Sequence, residues 1–106
     1  FEQAAGFYER ALAAPSPDAP RVFNYLALSR AAAGKKQEAL GAWRKSLSAD
    51  PSYIEGWINL GLYLRELGQD EQARLSLSRA FDLCGDSPEL AAVRSRLREL
   101  LNNKRE

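Results

Sequence analysis

The sequence repeats itself with a period of 34 residues. When residues 20–53 are laid over residues 54–87, Phe23 falls on Trp57, Leu26 on Leu60, Ala27 on Gly61, Gly34 on Gly68, Ala39 on Ala73 and Leu47 on Phe81. A fixed period of this size marks an array of small supersecondary units, each too thin to bury its apolar face alone and therefore stacked on its neighbours. The 106 residues amount to one domain, but stability in such an array is a sum over neighbouring units rather than the property of one compact centre.

Every segment between turn signals has helical periodicity, and none alternates apolar and polar residues as a half-buried strand would. The pattern predicts six helices. The first, residues 2–14, sets Ala4, Phe7, Tyr8, Ala11 and Leu12 on one stripe and stops at Pro15-Ser16-Pro17-Asp18, since proline cannot continue a helix. The second, 19–33, turns Phe23, Leu26, Ala27 and Ala31 inward and ends at Gly34, which suits a left-handed C-terminal cap. The third, 36–49, carries Ala39, Leu40, Trp43 and Leu47 and closes at Asp50-Pro51. The pair then recurs: 52–67 buries Trp57, Leu60, Gly61 and Leu64 and stops at Gly68, and 70–84 buries Ala73, Leu77, Ala80 and Phe81. A sixth, 88–102, opens with Ser87 as N-cap, Pro88 in the first turn and Glu89 near the positive end of the helix dipole.

Helices joined by three-residue turns lie antiparallel, and they approach closely only where side chains are short. Ala27, Gly61, Ala39, Ala73 and Ala80 supply those positions, and Phe23, Trp57 and Trp43 fill the space that remains. Trp57→Ala is expected to cost about 3 to 5 kcal/mol on this reading.

Composition removes several classes of function. Fifteen Lys plus Arg against fourteen Asp plus Glu leave a formal charge of +1, so no global field draws the chain to nucleic acid or to an anionic membrane. No apolar run approaches the length of a membrane span, and the N-terminus lacks the basic and apolar regions of a signal peptide, so no membrane insertion is expected. The chain begins at Phe1 rather than Met, as a piece of something longer would. One cysteine, Cys84, cannot form an internal disulfide, which leaves the compartment open with a lean to the cytosol. Its place in an apolar helical pattern suits a small hydrophobe. The absence of histidine takes away the usual general base and the commonest zinc ligand. No metal and no cofactor are expected.

The residues resemble a tetratricopeptide repeat, a 34-residue helix-turn-helix unit with the pattern W-x2-L-G-x2-Y, then A-x3-F, then P. One repeat reads W-I-N-L-G-L-Y-L from Trp57 to Leu64, then Gly68, Ala73, Leu77 and Ala80. The other reads F-N-Y-L-A-L-S-R from Phe23 to Arg30, then Gly34, Ala39, Trp43, Leu47 and Pro51. The resemblance implies an all-α fold, an array of antiparallel helix pairs wound into a right-handed superhelical solenoid. Residues 1–106 then form one domain: 1–16 is the second helix of a partial repeat, 20–53 and 54–87 are full repeats, and 88–102 is a C-terminal capping helix. There are departures from the pattern. Arg30 stands where an aromatic is usual, Ser46 where Ala80 falls in the other repeat, Gly85 where Pro51 falls, and the segment between Leu12 and Phe23 is one residue longer than a strict register permits.

Proteins similar to this are non-catalytic binding scaffolds in which the first helices of successive repeats line a concave groove for a peptide or a partner segment. The family's groove positions correspond to Arg21, Asn24, Leu28 and Ala31 in one repeat and to Ser52, Tyr53, Glu55, Ile58, Asn59, Leu62, Arg65 and Glu66 in the next. Leu28, Ile58, Leu62 and Tyr53 would form an apolar strip rimmed by charge, as interaction sites are. A subset of the family grips a C-terminal carboxylate with Lys, Asn and Arg. Asn59 matches that clamp, but Asn24 sits where it has Lys and Leu28 where it has Asn, so the clamp is not expected.

Three alternatives follow from the residues. The face of Ala4, Phe7, Tyr8 and Leu12 has no preceding helix to cover it, which points to self-association as a homo-oligomer. Arg94, Arg96, Arg98, Lys104 and Arg105 suggest nucleic-acid binding, but helical spacing scatters them among Glu89 and Glu99, so any such binding should be weak and fall steeply with salt. An enzyme would need converging carboxylates, a phosphate loop or a nucleophile with its base, and none is present.

Overall fold

The computed structural model describes residues 17–102, and these are all-α: α1 (Ala19–Ala32), α2 (Lys36–Ala49), α3 (Ile54–Glu66), α4 (Asp70–Cys84), a 3-10 turn (Pro88–Leu90) and α5 (Ala91–Asn102). Among the described residues there is no strand. The expected helix over 2–14, with Ala4, Phe7, Tyr8 and Leu12, lies outside them. The chain divides into two compact units between Gly56 and Trp57.

In the first unit α1 packs on α2. Three polar contacts fix the direction: Arg30 meets Glu38 at 3.8 Å, the Trp43 indole N–H donates to Asn24 Oδ1 at 2.8 Å, and Ser46 Oγ donates to the carbonyl of Pro20 at 2.6 Å. One partner climbs α2 as the other descends α1, so the pair is antiparallel. The turn between them follows from Gly34, whose φ of +77° is open to glycine and strained for most other residues. Its N–H bonds to the carbonyl of Ala31 and that of Lys35 to the carbonyl of Arg30, the paired closure of a Schellman motif. The second repeat ends its first helix identically, with Gly68 at φ +79°, Gly68 N–H to Arg65 and Gln69 N–H to Leu64.

Trp43 is fully buried, as are Ala27 and Ala39, and Leu26, Leu40 and Leu47 complete the core of the first unit. Two departures from the repeat pattern have local reasons. Ser46 is buried but satisfied by Pro20, and Arg30 lays a long stem where an aromatic would sit while its guanidinium reaches Glu38. Trp57, expected in the core, is half-buried, as is Phe23, so truncating it should cost less than truncating the fully buried Trp43.

In the second unit Leu64, Ala73, Leu77, Ala80, Cys84 and Leu97 are buried. A Cβ built on Gly61 would lie 2.7 Å from Leu77 Cγ and 3.3 Å from the Ala73 carbonyl oxygen, so the close approach of α3 to α4 requires glycine. The last helix packs antiparallel on α4. Arg74 donates to the carbonyl of Leu101 at 2.8 Å, Arg98 lies 5.8 Å from the Phe81 ring centroid, and Arg94 donates to the carbonyl of Gly85 at 2.7 Å.

Two helix starts differ from expectation. The fourth expected helix begins at Ile54 rather than residue 52, because the Asp50 carboxylate takes the Ser52 N–H at 3.0 Å and the Asp50 carbonyl takes the Tyr53 N–H, closing a turn first. The sixth opens as a 3-10 turn with Pro88 in place, and the Ser87 hydroxyl makes no capping hydrogen bond.

Candidate functional site

On α1 the residues expected to face a groove separate into two kinds. Arg21 is exposed and pairs with Asp18 at 3.4 Å, Leu28 is 40% exposed, and Ala31 is half-buried. Asn24 is fully buried, its Oδ1 holding the Trp43 indole. It is therefore a core residue here, because a buried indole N–H needs an acceptor. The neighbouring Tyr25 is 41% exposed and lies one turn from Leu28, so the open face of α1 runs through Arg21, Tyr25 and Leu28. Tyr25 was missed at the sequence level. The signal was present, since the 34-residue period pairs it with Asn59.

At the turn into α3, Ser52 and Glu55 are exposed and Tyr53 is half-buried. The Tyr53 hydroxyl donates to Glu55 Oε2 at 3.0 Å. Burial pushes the Tyr53 phenol up to about 12, helped by the hydrogen bond to Glu55, the charge of that carboxylate and Tyr25, against a weaker opposing pull from the Asn24 amide. Tyr53 thus stays a neutral donor through the physiological range. Gly56 lets this turn sit tightly, since a Cβ there would lie 2.9 Å from Tyr53 Cδ2 and 3.2 Å from Leu47 Cδ2.

In the second unit Ile58, Asn59 and Arg65 are half-buried, Leu62 is 36% exposed and Glu66 is exposed. Arg65 shares an open cavity of about 570 Å³ with Arg96, Glu99, Leu100 and Asn102 of α5, a neighbourhood the sequence did not suggest. The basic residues of α5 are engaged within their own chain. Arg94 holds Gly85 and Asp86, Arg96 pairs with Glu99 at 3.4 Å, and Arg98 covers Phe81; Lys104 and Arg105 lie outside the described residues. No group of three or more His, Cys, Asp and Glu comes together among the described residues, and no described helix is long and apolar enough to cross a membrane.

A family profile described as tetratricopeptide repeat matches residues 42–75, a stretch one repeat long that runs from mid-α2 into α4. Residues 42–75 thus match a tetratricopeptide repeat. The fold of the chain is similar to the structure of the Yersinia enterocolitica type III secretion translocator chaperone SycD, with a TM-score of 0.74 and 22% sequence identity over 94% of this chain and 86% of that one. No curated protein sequence matches this chain significantly.

Proposed function

We propose that this chain is a tetratricopeptide-repeat protein and a non-catalytic protein-interaction scaffold, organised as the single domain of repeats read from the sequence. It takes a peptide or an extended partner segment on the open face of a first helix, that of α1 in the first unit or that of α3 in the second, each a binding face in its own right. The observation that carries the reading is the exposure of Tyr25 and Leu28 on α1 and of Leu62 on α3, large apolar side chains left on first-helix faces with charged neighbours such as Arg21 and Glu66 beside them. SycD is named a translocator chaperone, and a chaperone acts on another protein. That supports the class of partner and leaves its identity to experiment.

The test is an affinity pull-down from nuclease-treated source-cell lysate with wild type and with Leu28→Arg and Leu62→Arg as separate baits, read by mass spectrometry. Proteins retained by wild type and lost from one variant or both are expected. Equal retention by all three baits would remove the first-helix faces as the binding surface, provided that thermal melts show all three folded.

A further inference from the structure

We propose that the corner formed by Tyr53 and Glu55, beside the exposed Tyr25 and Leu28 of α1, is a subsite for a lysine or arginine side chain carried by an otherwise apolar partner segment. The proposal rests on the scaffold reading above and names what one end of that surface selects. All four residues belong to the first unit.

Charge is the first argument. Between Lys45 and Arg65 the chain has no basic residue, and its only charged side chains are Asp50 and Glu55. Asp50 is occupied at its own turn, where its carboxylate accepts the Ser52 N–H at 3.0 Å. Glu55 is exposed on the first turn of α3, with one carboxylate oxygen receiving the Tyr53 hydroxyl at 3.0 Å. The two basic residues of α1, Arg21 and Arg30, are each paired with an acid, Arg21 with Asp18 at 3.4 Å and Arg30 with Glu38 at 3.8 Å.

Chemistry and shape supply the rest. The Tyr53 hydroxyl holds the Glu55 carboxylate at 3.0 Å, so a phenol and an exposed carboxylate stand together at the surface, and Tyr25 is near enough to Tyr53 to act on it electrostatically. A carboxylate beside aromatic faces favours an ammonium or guanidinium, which gains both a charge-assisted hydrogen bond and attraction to the ring quadrupole. The same unit already contains such a pair, with the Lys45 ammonium 5.8 Å from the Phe23 ring centroid. An incoming carboxylate would meet Glu55 instead and be repelled. Leu28, 40% exposed one turn beyond Tyr25, offers the apolar seat for the residues on either side of the cation.

The experiment uses two acetylated and amidated pentapeptides, Leu-Ala-Lys-Ala-Leu and the same sequence with norleucine for lysine, titrated into the full chain and followed by amide chemical shifts. The lysine peptide is expected to bind about fivefold tighter than its norleucine counterpart, with the largest shifts at Tyr25, Leu28, Tyr53 and Glu55. Glu55→Gln, an exposed change whose thermal melt should match wild type, is expected to erase the preference and leave norleucine-peptide binding intact. Equal affinities for wild type, or a preference that survives Glu55→Gln, would overturn the subsite. If both peptides bind alike and both are lost with Leu28→Arg, the scaffold reading stands while the cation subsite falls. If neither peptide moves any of these amides the subsite falls, and the pull-down then decides the scaffold reading separately.

Discussion

Where the first repeat sets Trp43 against Asn24, the second has Leu77 and Ile58 at the corresponding positions, 34 residues on. Where the first has Ser46 bonded to a backbone carbonyl, the second has Ala80, and where Arg30 reaches Glu38, the second has Leu64 and Gln72. The Trp43 indole, the Ser46 hydroxyl and the Arg30 guanidinium of the first repeat each have a partner, and at the two side-chain pairs both members are exchanged together in the second. An indole N–H in a dry core demands an acceptor, while a leucine demands none, so the change at one position licenses the change at the other. Size compensates as well: Ala27 becomes Gly61, and the space of the missing methyl is taken by Leu77. The period therefore preserves shape and turn chemistry and leaves core polarity free to vary in matched sets.

The largest expected effect breaks the polar set. Trp43→Ala should cost about 3 to 5 kcal/mol in urea unfolding, because Trp43 is fully buried and Asn24 loses the donor it was holding. Rewriting the pair in the chemistry of the second repeat, Trp43→Leu with Asn24→Ile, should cost less than the sum of the two single changes, since neither partner is then left with an unmet polar group. A double variant that loses the full sum would show that the two residues do not act as a unit. Next in size is Gly61→Ala, which drives a methyl to 2.7 Å from Leu77 Cγ and should destabilise by about 1 to 3 kcal/mol in the same assay. The reverse exchange, Ala27→Gly, removes a methyl and adds helix entropy, for a loss of about 1 kcal/mol.

The elements that were legible in the sequence are those fixed by local chemistry. Gly34 and Gly68 mark helix ends because the left-handed conformation is a property of one residue, and both ends close as expected. The stripes Ala39, Leu40, Trp43 and Leu47 and Ala73, Leu77 and Ala80 are buried because helical spacing alone sets the face. What was not legible depends on a second residue far along the chain. Asn24 reads as a groove residue until Trp43, 19 positions later, claims its oxygen. The arginines of α5 read as residues scattered over a solvated helix, and their contacts with Gly85, Glu99 and Phe81 depend on the fold. The start of α3 was misplaced by two residues because Asp50 folds its carboxylate over Ser52, a choice that propensity does not decide.

The smallest expected effect concerns Tyr53, which also distinguishes the repeats, since Ser87 stands at its place in the second. Its pKa of about 12 in the folded chain exceeds the ordinary value of 10.0, so the neutral phenol is favoured by folding. Between these values the unfolded chain has released a proton that the folded chain still holds, and stability therefore falls as pH rises. The contribution is fully present below pH 10 and is lost as the pH climbs through about 12. Urea midpoints of wild type and Tyr53→Phe, measured across this range, should converge or diverge by the Tyr53 term alone, with wild type losing more stability than the variant. Glu55→Gln removes the hydrogen-bonded charge and should bring the phenol down toward its ordinary range in an ultraviolet titration, with burial keeping part of the shift because it is the larger cause. A Tyr53 titration unchanged by Glu55→Gln would mean that the 3.0 Å contact is not kept in solution, and the proposed cation subsite would lose the carboxylate it is built around.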